Sequence, residues 1–318
     1  MNDMITEASR RVLAECLGLH RGESLLVVAD DSRRALGESM RAAGALLGAE
    51  AVLAVMAERS RSGEEPPAAV AAAMEAANAV VCITEHSLTH TVARKKAAAA
   101  GARVATMPGV TEDMFLNGAI TADYAKVKAL TEELTARLTE CRSIRIEKEG
   151  HSLSFSVEGR PGVPSTGLYL LPGESGNLPS GEAYIAPVEG TAEGTLLADG
   201  SVSGYGPLAS PLTLTVEKGR LAAASGDGAD ELLAMLGEGD GRLLGEFGIG
   251  TNDKARITGV VLEDEKVFGT IHVAFGSNHT FGGVVSAGVH IDIVVREPDV
   301  YFDDVLVMKA GRPVGLES

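Results

Sequence analysis

The sequence lacks tryptophan, and aromatic residues make up only 4% of its 318 residues. This scarcity gives no indication of an aromatic specificity pocket. Cysteine is also rare: Cys16, Cys82 and Cys141 are widely spaced and form no CxxC pair. The spacing disfavours both a disulfide framework and a thiolate metal site, so we interpret all three as small apolar residues, buried or half-buried.

Long apolar runs are missing as well, since no segment approaches the roughly 20 apolar residues that cross a bilayer. The first residues carry no basic cluster followed by an apolar stretch, which favours a cytoplasmic location. Basic residues are outnumbered, with 28 Lys and Arg against 44 Asp and Glu and a formal net charge of −16. Such a charge repels phosphate backbones and anionic membranes. We therefore expect neither nucleic acid nor a membrane as a partner.

The chain changes character near residue 150. Residues 1–149 alternate helical patterns with short apolar runs, which predicts an α/β domain with a mostly parallel sheet. This half has no GxGxxG or GxxxxGK[ST] motif for a nucleotide. Only nine of the 38 glycines precede Gly150, and later apolar residues alternate in short runs. Residues 150–318 are therefore predicted to form a Gly-rich, mainly-β domain, and the candidate metal ligands of the chain all lie in it.

Two strand patterns in the second half carry ionisable side chains opposite an apolar face. Alternation in Thr270–Phe275 places His272 away from the apolar residues of its strand. In the segment 289–293, the same rule places His290 and Asp292 side by side on one face. An imidazole and a carboxylate two residues apart on a rigid strand can chelate Zn, Fe, Co or Mn.

Two glutamates strengthen this interpretation. Glu246 lies in a Gly-rich strand pattern and faces away from Phe247, and Glu182 begins a strand directly after a Pro-Ser-Gly turn. Each alone fits a solvated strand residue or a turn cap. Together with the His and Asp positions they favour a metal centre, because buried carboxylates are costly unless paired or metal-bound. So many donors suggest two ions, since one ion with an open position needs fewer protein ligands.

Two further residues are candidates for proton chemistry. His279 lies in a Gly-rich loop seven residues after His272, where it is a candidate ligand, general acid or donor to a developing oxyanion. Glu265 belongs to an acidic turn before the strand of His272; the default is a solvated turn, and the alternative is a general base.

The order of these motifs resembles the thermophilic metalloaminopeptidase family typified by aminopeptidases T and S. The resemblance lies in the order of five segments of this chain: Asn-Leu-Pro-Ser-Gly-Glu-Ala-Tyr (177–184), Glu-Phe-Gly (246–248), Asp-Glu-Lys (264–266), His-Val-Ala-Phe-Gly (272–276) and His-Ile-Asp (290–292). The resemblance implies a homodimeric hydrolase that removes N-terminal residues from peptides. It also implies two Zn, Co or Mn ions held by Glu182, Glu246, His272, His290 and Asp292. The chain departs from the family at His279, where the family has a tyrosine.

Two alternatives stay open at this point. Ring-cleaving dihydroxypyridine dioxygenases look like distant relatives of that family, and His272, His290 and Asp292 alone satisfy the two-His-one-carboxylate pattern of Fe(II) oxygenases. Under that hypothesis Glu182 and Glu246 are surplus. The other alternative is a non-catalytic metal-binding relative of the same fold.

Overall fold

The structure is a computed structural model that describes residues 2–315. The chain forms two compact units. One comprises the residues up to Lys128 together with Thr166–Ser180, and the other comprises Ala129–Ser165 together with the residues from Gly181 onwards. Within the described residues, none of the helices is both long and apolar enough to cross a membrane.

The first unit is built on a five-stranded parallel sheet in the order β2-β1-β3-β4-β8. The strands are β1 (Ser24–Asp30), β2 (Glu50–Met56), β3 (Ala79–Ile83), β4 (Arg103–Thr106) and, from a later part of the chain, β8 (Ser175–Asn177). The helices are α1 (Asn2–Arg11), continued by a π-helical turn (Val12–Cys16), α2 (Arg34–Leu46), α3 (Ala68–Ala76), α4 (Val92–Ala99) and α5 (Glu112–Leu116).

Helices cover this sheet on both faces. On one face α2 packs so closely on β1 that a Cβ atom at Gly44 would lie 2.4 Å from the Leu25 side chain. On the other face α3 and α4 bury Met74 and Ala97 against apolar strand residues such as Val28. Burial on both faces explains why the central strands β1 and β3 are nearly continuous apolar runs.

The second unit consists of two mainly antiparallel sheets and two principal helices. One sheet has the order β14-β13-β10-β6-β5-β18-β19-β20 and the other β12-β11-β17-β16-β15-β9-β7. The strands are β5 (Ser143–Lys148), β6 (His151–Ser156), β7 (Val163–Ser165), β9 (Glu182–Ile185), β10 (Glu193–Ala198), β11 (Ser201–Val202), β12 (Gly206–Pro207), β13 (Leu212–Glu217), β14 (Arg220–Gly226), β15 (Leu244–Gly250), β16 (Thr270–Gly276), β17 (His290–Arg296), β18 (Asp299–Phe302), β19 (Val305–Lys309) and β20 (Arg312–Pro313). The helices are α6 (Tyr124–Glu140), which begins in the first unit, α7 (Ala229–Leu236) and the single turn α8 (Val261–Asp264).

One apolar core lies between these two sheets. Phe155 of the first sheet meets Phe247 of the second with ring centroids 5.7 Å apart. Leu138 of α6 and Leu232 of α7 are fully buried in the same cluster. The core therefore takes one face of β15, β16 and β17 and leaves the opposite face of those strands for polar side chains.

The predicted fold class is confirmed: an α/β part with a parallel sheet is combined with a mainly-β part rich in glycine. The division at residues 149 and 150 stays a prediction, with residues 1 and 316–318 outside the described part. The compact units are segmented differently along the chain, because residues 129–149 belong to the second unit and β8 returns to the first.

Candidate metal centre

Four neighbouring strands place the polar residues of this site on one face of a sheet. In the antiparallel register, Asp292 of β17 pairs with Ala274 of β16, which pairs in turn with Glu246 of β15. His272 and His290 each lie two residues further along their strands, in opposite directions. Paired residues point to the same face of an antiparallel sheet, so all of these side chains converge. Their strand neighbours, such as Val273 and Ile293, point into the core.

Glu182 reaches the same face from β9, where it pairs with Gly250 of β15. Small residues make room for the larger ones. Gly248 pairs with His272, and a Cβ atom at Gly248 would lie 2.2 Å from both Cε1 and Nε2 of the imidazole. The His272 ring therefore lies directly over the backbone of β15, in space that only glycine leaves open.

The donor atoms of the two histidines meet at one carboxylate. Nε2 of His272 lies 3.2 Å from Oε1 of Glu246, and Nε2 of His290 lies 3.4 Å from Oε2 of the same residue. Nε2 of His290 also lies 3.4 Å from Oδ1 of Asp292. Oε2 of Glu182 lies 3.5 Å from Nε2 of His272. One point therefore has two imidazole and three carboxylate donors around it.

A hydrogen bond on the side of the His290 ring that faces away from the cluster fixes the orientation of the ring. Its Nδ1 lies 2.8 Å from the backbone carbonyl oxygen of Ser277, to which an Nδ1–H group donates. With the proton on Nδ1, Nε2 presents a lone pair to the cluster. This tautomer is the one that a metal-binding histidine needs, and a hydrogen bond of this kind commonly holds it.

Several donor atoms in the cluster have no hydrogen-bond partner within the described part of the chain. They are buried: Oε2 of Glu182, Nδ1 of His272 and Oδ1 of Asp292. Buried polar atoms in native proteins nearly always have partners. Overlapping groups of donors lie within 4.8 Å of one another, namely Glu182, Glu246 and His272; Glu246, His290 and Asp292; and Glu265, His272 and Asp292. Nitrogen and oxygen donors at this spacing fit a divalent transition-metal ion.

A lysine is part of the same cluster. Lys266 is fully buried, and its Nζ donates to Oε1 of Glu182 at 2.5 Å and to Oε1 of Glu265. The Glu265 side chain retains 14% of its exposure. A buried ammonium group needs such partners, because the transfer of an unpaired charge out of water is very costly.

The carboxylates of the cluster raise the pKa of both histidines. Burial opposes the imidazolium form of His272, but the hydrogen bond to Glu246 and the charge of Glu182 outweigh it and raise the pKa to about 9. Burial also opposes charge on His290, and Asp292 and Glu246 nevertheless hold its pKa well above the usual value. The pKa of Glu246 falls, because the two imidazoles outweigh its burial. Protons thus occupy the positions for which a metal ion competes.

The pKa values of Glu265 and Lys266 are both raised. Burial raises the pKa of Glu265 to about 8, helped by the charges of Glu182 and Asp292 and opposed by Lys266. Burial favours the neutral amine of Lys266, but the two glutamates reverse this effect and raise its pKa. Glu265 can therefore hold or release a proton near neutral pH, which is the property of a general acid or base.

An ordered loop at 277–289 lies beside His290. Asn278 is fully buried in it and accepts a hydrogen bond from the backbone N–H of Val285 at 2.8 Å. The Phe281 ring meets the His290 ring edge-to-face with centroids 6.1 Å apart, and Tyr184 meets Phe281 at 5.4 Å. The loop thus adds an aromatic wall next to the donors.

The structure brings together six of the seven residues expected from the sequence, namely Glu182, Glu246, Glu265, His272, His290 and Asp292. His279 is exposed, belongs to none of the donor groups of the described residues, and directs Nδ1 at the Val285 carbonyl oxygen at 3.1 Å. Its suggested role stays a prediction. No role was predicted from the sequence for Lys266, although it directly follows the candidate base in the Asp-Glu-Lys segment, and none for the aromatic pair of Tyr184 and Phe281.

Comparison with known proteins gives a consistent description. A family model described as "NicX: 2,5-dihydroxypyridine 5,6-dioxygenase" matches residues 4–315. A curated 2,5-dihydroxypyridine 5,6-dioxygenase from Pseudomonas putida KT2440 is 29% identical over 203 residues, which are 57% of this chain. The match likewise spans 57% of the relative's length, somewhat more than half.

Two solved structures share the fold. The 2,5-dihydroxypyridine dioxygenase from Pseudomonas putida KT2440 is 21% identical with a TM-score of 0.85, and the match covers 100% of this chain and 99% of that one. Wild-type AmpT from Thermus thermophilus is 18% identical with a TM-score of 0.72, over 98% of this chain and 99% of that one. At these identities both likenesses show the fold alone.

The expectation of a metal-dependent aminopeptidase is wrong. The family model and the curated relative describe a dioxygenase, so the hydrolase activity and its pair of Zn, Co or Mn ions have no support. What remains of the resemblance is the fold that the chain shares with AmpT, an aminopeptidase T. The order of the motifs predicted the wrong activity because the same donors on the same strands can serve either a peptidase or a dioxygenase.

Proposed function

Since the chain belongs to the NicX family of 2,5-dihydroxypyridine 5,6-dioxygenases, we propose that it is an Fe(II)-dependent dioxygenase that cleaves a small hydroxylated aromatic ring, with a dihydroxypyridine as the first candidate substrate. The observation that carries the proposal is the convergence of two imidazole Nε2 atoms and a carboxylate on one point of the sheet.

His272, His290 and Asp292 would hold the ion. Two histidines and one carboxylate with open positions are the donor set of non-haem Fe(II) oxygenases. Fe(II), when bound, supplies the redox chemistry that dioxygen needs in order to react with an aromatic ring. The protein's part is to hold the three donors on rigid strands, with the Ser277 carbonyl oxygen fixing the tautomer of His290.

Support for an aromatic substrate comes from the wall beside the donors. Tyr184 and Phe281 extend from the His290 ring in edge-to-face contacts. A flat heterocycle gains offset or edge-to-face contacts with such rings. Hydroxyl groups on the same ring would meet the carboxylates at the polar end of the site.

Glu265 is the candidate proton acceptor. Its carboxylate oxygen lies within 4.8 Å of donor atoms of His272 and Asp292, and burial raises its pKa to about 8, which makes its carboxylate form basic enough to accept a substrate hydroxyl proton. His279 stays a candidate proton donor from the loop. The homodimer and the cytoplasmic location expected from the sequence also remain proposals.

The test is oxygen consumption by protein reconstituted with Fe(II) under anaerobic conditions. On addition of 2,5-dihydroxypyridine and air-saturated buffer, we expect one dioxygen consumed for each ring lost, measured by an oxygen electrode and by the decay of ring absorbance. His272→Ala, prepared identically, is the control and should be inactive. Ring absorbance that is stable with Fe(II)-loaded wild-type protein would contradict the substrate proposal, and the absence of any bound metal would favour a non-catalytic relative.

A further inference from the structure

Lys266 places an ammonium group inside the donor cluster, between two carboxylates. Its side chain is completely buried, and Nζ lies 2.5 Å from Oε1 of Glu182 while also donating to Glu265. Nothing in the proposed three-residue iron site requires an ammonium group at this place. A buried ion pair of this kind is weakly stabilising at best, so its presence calls for a different explanation.

The position of Lys266 is fixed by its backbone. The Lys266 N–H donates to the Glu263 carbonyl oxygen at 3.0 Å, and the Lys266 carbonyl oxygen accepts from Asn252 at 2.9 Å. The chain passes so close to β15 that a Cβ atom at Gly250 would lie 2.8 Å from the Lys266 carbonyl carbon. Gly250 is the residue paired with Glu182, so the ammonium group is held over that carboxylate.

The donors around the point exceed what one ion needs. Glu182, Glu246 and His272 form one potential group, and Glu246, His290 and Asp292 form another. Glu246 is common to both and its two oxygens face different histidines. A bridging carboxylate between two donor groups is an arrangement suited to two ions.

Charge decides between one ion and two. The four carboxylates of Glu182, Glu246, Glu265 and Asp292 carry up to four negative charges. One divalent ion and Lys266 together neutralise three of them, whereas two divalent ions would neutralise all four without the lysine. A second ion beside Lys266 would meet a positive charge a few ångströms away in a buried site, where Coulomb repulsion is strong.

We propose that Lys266 takes the role of a second metal ion and confines this centre to a single ion, because it binds one oxygen each of Glu182 and Glu265 and adds a positive charge beside the remaining donors. The inference rests on the proposed metal site at His272, His290 and Asp292. It assigns Lys266 a positioning role that selects the nuclearity of the centre. It also gives Glu182 a purpose, as the counter-charge of the lysine.

The experiment counts Mn(II) ions, with Mn(II) as the probe because it reports nuclearity by electron paramagnetic resonance. Wild-type protein saturated with Mn(II) and desalted should hold one ion per chain by native mass spectrometry, with the six-line spectrum of an isolated ion. Lys266→Met should hold two, with a spin-coupled spectrum. The double variant Lys266→Met, Glu182→Gln should return to one. His290→Ala, treated identically, gives the background from the acidic surface.

Each outcome is decisive. No ion above background in the wild type would contradict the proposed function itself. Two ions in the wild type, or one in folded Lys266→Met, would overturn the inference while leaving the metal site intact. If Lys266→Met folds only when Mn(II) is present, by circular dichroism, the second ion is replacing the ammonium group as proposed. A failure to fold with or without Mn(II), in Lys266→Gln as well, would overturn that replacement.

Discussion

Replacing Gly248 by alanine is expected to weaken metal binding without replacing a ligand residue. The new Cβ atom would lie 2.2 Å from Nε2 and Cε1 of His272. Carbon atoms in contact lie about 3.5–4.0 Å apart, so the ring must move by more than about 1 Å. Neither strand can easily give way, because every residue of β15 and β16 is buried.

Two magnitudes follow from this displacement. Overpacking of a buried position typically costs about 1–3 kcal/mol of folding free energy. Metal–ligand distances tolerate only about 0.2 Å, and even the loss of an orienting partner costs about 10- to 100-fold in affinity. We therefore expect Gly248→Ala to weaken divalent metal binding by at least about 10- to 100-fold.

Anaerobic titration calorimetry with Fe(II), and with Mn(II) as an air-stable probe, measures the affinity, and thermal unfolding of the metal-free protein measures the stability. Gly239→Ala is the matched control, because a Cβ atom at Gly239 meets nothing within 4 Å. Wild-type affinity in Gly248→Ala would refute the placement of the His272 ring over β15.

Three further outcomes are expected. His290→Ala should lose metal with little loss of fold, because its side chain is 31% exposed while Nε2 faces the cluster; metal content at the wild-type level would refute the ligand assignment. The metal-free protein should lose stability as pH rises from about 6.5 towards 9. The pKa of His272 is about 6.5 in the unfolded chain and about 9 in the folded protein. Protonation of His272 therefore contributes its full stabilisation below about pH 6.5, and this contribution is lost as the pH rises through the folded-state pKa. Metal displaces that proton, so the increase in melting temperature on addition of metal should become larger over the same pH range. A metal-induced increase that does not depend on pH, or that is the same in His272→Gln as in the wild type, would contradict this role of His272. Asn278→Ala should detach the loop at 277–289, lower the free energy of unfolding by about 1–3 kcal/mol and raise KM more than it lowers kcat. Ser286 is exposed in the same loop, so Ser286→Ala should change neither stability nor KM.

The site could be predicted from the sequence where strand periodicity decides direction. In β16 and β17, alternation alone placed His272, His290 and Asp292 opposite the apolar residues that fill the core. The register of the sheet then brought Glu246 onto the same face, as a pattern of small and apolar neighbours suggested. These residues were predictable because a side chain's direction in a strand depends only on its position along the strand.

Lys266 was not predictable in this way. It lies in the turn between α8 and β16, and its direction follows from hydrogen bonds to Glu263 and Asn252, which are set by tertiary packing. The contact of Phe281 with Tyr184 likewise depends on the loop conformation. In composition both features look like ordinary surface lysine and scattered aromatics.

The chemistry was harder to predict than the donors. All five of Glu182, Glu246, His272, His290 and Asp292 suit the two-ion hypothesis, and the last three alone suit the one-ion hypothesis, so the donors cannot separate a peptidase from a dioxygenase. The difference, on our proposal, depends on the charge already present among the donors, and that charge is supplied by a residue outside the strands.

The most direct test of the central claim is the fate of dioxygen. Protein loaded with Fe(II) is supplied with 2,5-dihydroxypyridine and isotopically labelled dioxygen. The number of labelled oxygen atoms in the product is then measured by mass spectrometry. We predict a ring-opened product that carries both labelled oxygen atoms, formed by the wild type and absent with His290→Ala. A product whose added oxygen comes from water would contradict the account.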